Sequence, residues 1–193
     1  MNRAFFARDV VTVARALIGV MLTIDGVGGT IVETEAYDAN DPASHSFAGP
    51  GVRNAAMFGP AGAAYVYRVY GLHHCLNVTC GDGAAVLIRA LAPTQGMEIM
   101  RARRATTQAE ALLCAGPGRL CKALGVDLSL DAAPLDAPPF AWRDRTAEPP
   151  VAVGPRIGIT RAAEVPWRFV LQGSASLSRP APREHRPALS FRA

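Results

Sequence analysis

Residues 29–45, GTIVETEAYDANDPASH, place carboxylate and aromatic side chains at every second position. In an extended strand Glu33, Glu35 and Tyr37 share one face with Ile31, because residues two apart point to the same side. The intervening side chains are expected to form the buried face: Val32, Thr34 and Ala36. His45 follows in a polar loop. A positioned carboxylate deprotonates water and aromatic rings attract cations, so the pattern favours hydrolysis at an aromatic, cationic group.

Two tyrosines and one arginine extend this pattern. Tyr65 and Tyr67 alternate in a strand-like run and therefore share a face. Arg89 ends the apolar run VLIRA, and a buried arginine needs an anionic partner. Two interpretations of Arg89 stay open on the pattern alone: a structural salt bridge, or a clamp on a catalytic carboxylate or a phosphate.

Tyr70 precedes Gly71 where two predicted strands meet. A large aromatic residue beside glycine at a hairpin turn is exposed by its position. Such a side chain either packs on a neighbouring loop or acts as a wedge between the base steps of DNA. The pattern alone leaves both interpretations open.

Strands dominate the elements that must position these residues, and helices flank them. The spacing of apolar residues predicts helices over 5–18, 94–104 and 116–126. Alternation and short apolar runs predict strands over 21–24, 30–37, 63–69, 73–79, 84–91, 156–160 and 168–173. The stretches 38–62 and 131–150 are typical of loops. We predict an α+β fold with a mixed or antiparallel curved sheet, flanking helices and a protruding β-hairpin.

The composition fits one well-cored domain, because half of the 193 residues are hydrophobic. We expect that domain over 1–178 and a basic, proline-containing tail over 179–193, with poor order from Ser174 onward. The net charge is +4, and Lys122 is the only lysine. The excess of arginine reflects either compositional bias or a surface that faces phosphate groups.

The cysteines and histidines do not predict a metal site or a disulfide framework. The four cysteines form no CxxC pair, and without a signal peptide we expect reduced thiols. His73, His74 and Cys75 are consecutive, so on a strand they point to opposite faces and do not converge on one ion. We expect no metal or organic cofactor. A membrane span is not expected either, because no run of about twenty apolar residues is present.

Several motifs, taken in this order, resemble the alkyladenine, or 3-methyladenine, DNA glycosylase family. They are IVETEAY (31–37), ASHS (43–46), YVYRVYGLHHCLNV (65–78), GDGAAVLIRAL (81–91) and LCAGPGRLCKALG (113–125). The resemblance extends over roughly residues 5–173. Each motif is weak alone, but their ordered combination is specific. The stretches between Tyr37 and His45 and between Asn77 and Gly81 are each one residue shorter than in vertebrate members, which leaves the approach of His45 open.

The resemblance implies a monofunctional base-excision repair enzyme that flips an alkylated or deaminated purine out of duplex DNA and hydrolyses its N-glycosidic bond. Its substrates would include 3-methyladenine, hypoxanthine, ethenoadenine and 7-methylguanine. By the same resemblance, Glu35 activates the attacking water, and Arg89 helps to hold it. A main-chain carbonyl near residues 157–159 is a further candidate for contact with this water.

The resemblance also assigns the base pocket and the DNA contact. The flipped base would stack between Tyr37, Tyr67 and His45, and Asn77 would act as a steric filter against the exocyclic amine of guanine. Tyr70 would fill the gap left in the duplex. The basic residues expected to contact the DNA backbone, which position a duplex without reading its sequence, are Arg53, Arg68, Arg119 and Lys122.

The expected partner is double-stranded DNA with damaged purines, bound by a monomer in a bacterial cytoplasm. We predict no lyase activity, because Schiff-base formation needs an amine and Lys122 lies in a predicted helix. Three other readings are compatible with parts of the pattern. They are a nucleoside N-glycoside hydrolase, a non-catalytic protein that binds damaged DNA, and an ordinary half-solvated strand face.

Overall fold

A computed structural model describes residues 1–182 of the chain. Its strands are β1 (Met21–Ile24), β2 (Val27–Tyr37), β3 (Ala64–Val69), β4 (His73–Gly81), β5 (Ala84–Gln95), β6 (Phe140–Arg143), β7 (Val151–Gly154) and β8 (Arg168–Leu171). Its α-helices are α1 (Arg3–Phe6), α2 (Val10–Ala16), α3 (Met97–Arg104) and α4 (Pro117–Leu124). Short 3₁₀ segments cover Val52–Phe58, Glu110–Leu112 and Leu128–Leu130.

The described strands form one curled antiparallel sheet in the order β3-β4-β5-β2-β1-β6. Strand β2 is central: β5 pairs along one edge, while β1 and then β8 pair along the other. Helices α2 and α4 pack on the sheet and contribute buried apolar residues to its main core, among them Val13 and Leu120. The predicted α+β class is confirmed, and the described strand pairs are antiparallel throughout.

The predicted β-hairpin is confirmed for strands β3 and β4. Its turn residues Tyr70 and Gly71 have φ angles of 51° and 71°. Positive φ at both central residues matches the right-handed twist of the flanking strands, and glycine adopts it without steric cost. The hairpin therefore carries Tyr70 outward at its tip.

A β-bulge in the β2–β5 ladder corrects the simple alternation predicted for β2. Ala90 lies opposite Glu33 and Ile88 opposite Thr34, so Arg89 is the additional residue on β5. A second irregularity falls between Ile31 and Glu33. Because a bulge resets which face a side chain points to, Ile31 packs in the main core and not beside the carboxylates.

The predicted helix over 5–18 is divided into α1 and α2. Asp9 has a non-helical backbone, and its side chain accepts a hydrogen bond from the Thr12 N–H at 2.8 Å. It therefore caps a new helix, because the first N–H groups of a helix need an outside acceptor. The other two predicted helices are confirmed with shorter bounds, as α3 and α4.

Two segments after α4 also differ from the prediction. The stretch 156–160 is not a strand in the structure, because Gly158 has a φ of 79° that an extended strand does not accommodate. Strand β6 lies inside the predicted loop 131–150, and β7 begins directly after that loop. The strands β6 and β7 are edge strands of four residues each, too short for their alternation to be distinctive.

Residues 174–182 are not a loose tail, contrary to the expectation of poor order from Ser174. Ser176 is buried, and Pro182 packs so closely on Gly154 that a side chain on Gly154 would collide with it. Arg168 on β8 donates to main-chain carbonyls of this segment. The rest of the predicted tail, 183–193, lies outside the described residues.

Candidate active site

Glu35 lies on β2 and is fully buried, with three hydrogen bonds to its carboxylate. The main-chain N–H of Ile157 donates to Oε1 at 2.7 Å, and the Tyr37 hydroxyl donates to Oε2 at 2.8 Å. Arg89 Nη1 donates to Oε2 at 3.1 Å. A carboxylate has about four acceptor sites, so Oε1 has the capacity to accept one further hydrogen bond. Ile157, Tyr37 and Arg89 line a common cavity, which places Glu35 directly behind its wall.

Glu33 lies two residues earlier on β2 and is fully buried as well, and it accepts four hydrogen bonds. Its Oε1 accepts from Arg89 Nε at 3.0 Å, from Arg168 Nε at 2.8 Å and from the Ser178 hydroxyl at 2.8 Å. Its Oε2 accepts from the Ser178 N–H at 2.6 Å. Burial raises the pKa of Glu33, but the Ser178 N–H and the two guanidinium groups outweigh it and hold that pKa below its usual value. Glu33 is therefore an ionised counterion.

Arg89 connects the two carboxylates. Its bulged position on β5 directs the side chain at β2, where Nε contacts Glu33 and Nη1 contacts Glu35. Burial opposes its charge, yet the two carboxylates raise the pKa of Arg89 above its ordinary value. The salt-bridge interpretation of Arg89 is confirmed, and one of its two carboxylate partners, Glu35, lies behind the cavity wall.

The cavity in front of Glu35 has a volume of about 380 Å³ and an aromatic wall. Such a volume is in the range of small-molecule pockets. The His45 and Tyr67 ring centroids are 4.5 Å apart, and those of Tyr65 and Tyr67 are 5.3 Å apart. His45 Nδ1 and the Tyr65 hydroxyl form a hydrogen bond of 2.8 Å. The loop after β2 therefore does bring His45 back to the tyrosines.

Burial sets the protonation of these rings. It lowers the pKa of His45 below its ordinary value, so the imidazole is neutral near pH 7. Burial also raises the pKa of Tyr37, Tyr65 and Tyr67, so their hydroxyls stay protonated. The pocket thus presents uncharged aromatic groups, with charge confined to Arg89.

Tyr37 closes the cavity from the side of β2, and Arg156 supports it. The Arg156 guanidinium lies 4.7 Å from the Tyr37 ring centroid and 5.3 Å from that of Trp167. It also pairs through both terminal nitrogens with the buried Asp41, and it donates to the Ala36 carbonyl at 3.0 Å. Arg156 therefore ties the Tyr37 ring to the loop that carries His45.

Asn77 and Cys75 form part of the cavity lining on β4. The Asn77 amide donates to the Tyr65 carbonyl at 3.0 Å, which fixes its orientation beneath the aromatic group. The Cys75 thiol and the Tyr67 hydroxyl form a hydrogen bond, and burial raises the pKa of Cys75. Ile157, Gly158 and Ile159, the stretch predicted to offer a main-chain contact to water, also line the cavity.

The residues predicted to contact DNA lie at the surface around this cavity. Tyr70 is 91% exposed at the hairpin tip, and Arg53 and Arg68 line the groove that runs from it to His45. Arg119 and Lys122 are exposed on α4, whose first residue, Pro117, also lines the cavity. The catalytic and base-binding candidates thus converge, whereas the basic candidates occupy two separate surfaces.

Sequence reasoning missed Ser178, Arg156 and Arg168 as parts of the site. Arg156 and Arg168 occur in apolar surroundings, GPRIGI and PWRFVL. The rule applied to Arg89, that a buried arginine needs an acid, identifies them equally. For Ser178 no comparable signal exists, because its contacts are with residues far away in the chain.

The described residues contain no helix that is long and apolar enough to cross a membrane. Within residues 1–182, no group of three or more His, Cys, Asp or Glu is arranged to hold a metal ion.

Comparisons with known proteins identify the family of this chain. A family model for methylpurine-DNA glycosylases matches residues 4–175. A protein from Rhodopseudomonas palustris strain HaA2 is 57% identical over 183 residues, covering 93% of this chain and 90% of its own length. Relatives from Rhizobium etli (57% identical, 92% and 88% covered) and Nitrosospira multiformis (56%, 91% and 92%) are similar. All three are provisionally named 3-methyladenine DNA glycosylase. The chain belongs to the methylpurine-DNA glycosylase family.

Proposed function

We propose that this protein is a monofunctional DNA glycosylase that flips an alkylated or deaminated purine out of duplex DNA and hydrolyses its N-glycosidic bond. The observation that carries this proposal is the Glu35 carboxylate, which is oriented by three donors and lies behind the wall of an aromatic cavity. The names of the relatives support the same substrate class, 3-methyladenine in DNA.

Glu35 acts as the base that activates water. The water occupies the free acceptor site on Oε1 and attacks the anomeric carbon as the purine departs. Cleavage of a glycosidic bond passes through an oxocarbenium-like state, which a nearby carboxylate stabilises. Arg89 keeps the Glu35 carboxylate in place and holds the water, and a main-chain carbonyl of residues 157–159 contributes a further contact.

The leaving group determines how much help the reaction needs. Alkylation at N3 or N7 puts a positive charge on the purine, which then departs readily. Hypoxanthine is neutral and needs a proton from water or an acid, so we expect its release to be slower. The Tyr37, Tyr67 and His45 rings bind a cationic or electron-poor purine by stacking, because aromatic faces attract positive charge. Asn77 acts as a steric filter against the exocyclic amine of guanine.

The hairpin and the basic surfaces bind the duplex. Tyr70 fills the space that the flipped nucleotide leaves, which offsets part of the few kcal/mol that extrusion costs. Arg53, Arg68, Arg119 and Lys122 contact phosphates, which positions the duplex independently of its sequence. The expected partner is therefore double-stranded DNA with damaged purines, bound by a monomer.

We propose that the enzyme has no lyase activity. A lyase reaction needs an amine in the base pocket to form a Schiff base. Lys122 is the only lysine, and it lines surface pockets beside α4 rather than the cavity in front of Glu35. A covalent adduct with DNA, trapped by borohydride, would contradict this.

Single-turnover base release tests the proposed function. The substrates are duplexes that carry methylated adenine, hypoxanthine or ethenoadenine, with the wild type, Glu35→Gln and the exposed control Glu164→Gln. We expect release by the wild type and the control, and duplex binding without release by Glu35→Gln. Release from free nucleosides but not from duplexes would indicate a nucleoside hydrolase. Binding without release by the wild type would indicate a non-catalytic protein.

A further inference from the structure

Residues 174–182 form a segment, called here the C-terminal strap, that lies on the sheet behind the carboxylates. Arg168 on β8 holds it by donating to the main-chain carbonyls of Arg179 at 2.9 Å and Pro180 at 3.2 Å. Ser176, within the strap, is 4% exposed. Strap residues thus bind to the sheet through side chains that belong to the site, and not only through apolar packing.

Ser178 is the strap residue that enters the charge network. Its hydroxyl donates to Glu33 Oε1 at 2.8 Å and accepts from Arg89 Nη2 at 3.2 Å. A serine hydroxyl has one hydrogen to donate and lone pairs to accept, so both bonds form at once. Ser178 therefore bridges the counterion and the arginine that contacts Glu35.

Because the guanidinium is planar, the bridge through Ser178 helps to orient Arg89. The donors of arginine project in a rigid fork, so two fixed donors determine the direction of the third. Glu33 fixes Arg89 Nε and Ser178 fixes Nη2, which leaves Nη1 directed at Glu35 at 3.1 Å. Without the Ser178 hydroxyl, Arg89 keeps only its contacts to Glu33 and Glu35, and we expect the Nη1 contact to Glu35 to become looser.

We propose that Ser178 is a positioning residue for catalysis: the C-terminal strap fixes the Arg89 guanidinium so that it holds Glu35 and the water in reactive geometry. This inference rests on the proposed function for the role of Arg89. Its structural part, the orientation of Arg89 by the strap, does not depend on the reaction that follows.

The test compares Ser178→Ala with Ser176→Ala and Ser178→Thr. Ser178→Ala removes only the hydroxyl, because its main-chain N–H still reaches Glu33. Ser176→Ala is the matched control, since Ser176 is buried in the same strap and its hydroxyl makes no contact with the described charge network. Ser178→Thr keeps the hydroxyl at this half-buried position.

We expect Ser178→Ala to slow single-turnover base release about tenfold, the effect of one lost hydrogen bond to a charged group. Its affinity for the damaged duplex should match that of Ser176→Ala, whereas its urea midpoint should be lower, because the hydroxyl bonds to buried Glu33 and Arg89. Ser178→Thr should restore the rate. A Ser178→Ala rate equal to that of Ser176→Ala, or a loss that resides in duplex affinity, overturns the proposal, as does failure of threonine to rescue.

A second readout needs no turnover. The Arg89 Nε–H signal in ¹⁵N NMR, assigned with Arg89→Lys, should exchange with water faster in Ser178→Ala than in the wild type or Ser176→Ala. Unchanged exchange overturns the role of the strap. If the wild type releases no base, the proposed function fails, while this measurement still decides whether the strap holds Arg89.

Discussion

Glu33 and Glu35 lie two residues apart on β2, both fully buried and both bonded to Arg89, yet their surroundings differ. Glu33 faces the C-terminal strap, where two arginines and Ser178 use its acceptor sites. Glu35 lies behind the cavity wall and accepts three hydrogen bonds, one fewer than Glu33. The same residue type thus becomes a counterion on the closed side of the strand and a candidate base on the open side.

The comparison also shows why the enzyme would need both carboxylates. A single buried glutamate beside Arg89 would share its charge entirely with that arginine. With Glu33 present, Arg89 has two acids, and Glu33 in turn has a second arginine in Arg168. The network stays balanced without using every acceptor of Glu35, and the removal of either acid should reveal a different function.

The largest difference is expected in the rate of base release. Glu35→Gln should lower the single-turnover rate by about 10²–10⁴-fold, the usual contribution of a general base. Glu33→Gln should lower it only about tenfold, because Arg89 loses one anchor but the base remains. If both variants fold and their rates of base release fall equally, the two acids do not differ in function, and the base role belongs to both.

The loss in the free energy of unfolding should rank the two variants in the reverse order. Glu33→Gln removes the charge shared by Arg89 and Arg168 and should cost about 3–5 kcal/mol in the free energy of unfolding, as when one partner of a buried ion pair is lost. Glu35→Gln should cost less, since Arg89 keeps Glu33 and the Ile157 N–H keeps an acceptor. Urea unfolding measures both, with the exposed Glu164→Gln expected within about 0.5 kcal/mol of the wild type. A Glu35→Gln variant that is the less stable one would contradict this.

Lowering the pH should reproduce part of the stability loss expected for Glu33→Gln. The pKa of Glu33 in the folded state lies below the ordinary value of 4.5, so its stabilising contribution is complete above pH 4.5 and is lost as the pH falls through the folded pKa. The wild type should therefore lose more stability between pH 5 and pH 3 than Glu33→Gln does. Urea midpoints across that range provide the measurement, and parallel curves would exclude Glu33 as the source.

The smallest effect is expected far from both carboxylates, at the hairpin tip. Tyr70→Ala should weaken binding of a damaged duplex about tenfold, as expected for the loss of one stacking side chain. Its unfolding free energy should not change, because Tyr70 is 91% exposed. Leu72→Ala is a matched control at 80% exposure on the same turn. If both substitutions weaken binding equally, the tip contributes apolar area and not a specific wedge.

Much of the site could be predicted from the chain alone because its signals are local. Period-two alternation places Glu33, Glu35 and Tyr37 on one face, and the Tyr70-Gly71 pair marks a turn that exposes its aromatic ring. Where the alternation predicted for β2 failed, a long-range contact decided. The bulge that moves Ile31 into the core depends on how β5 pairs with β2, and alternation within one strand does not contain that pairing.

The amino-acid sequence by itself determined which groups are available: two acids in register, an arginine in an apolar strand, tyrosines on one face and a family pattern. Only the tertiary structure decided how many hydrogen bonds each of the two acids accepts. Ser178 reaches Glu33 across 145 positions of the chain, and Ile157 reaches Glu35 across 122. Hydrogen bonds between such distant segments form only when the sheet brings them together, and the count of donors at each carboxylate separates a counterion from a candidate base.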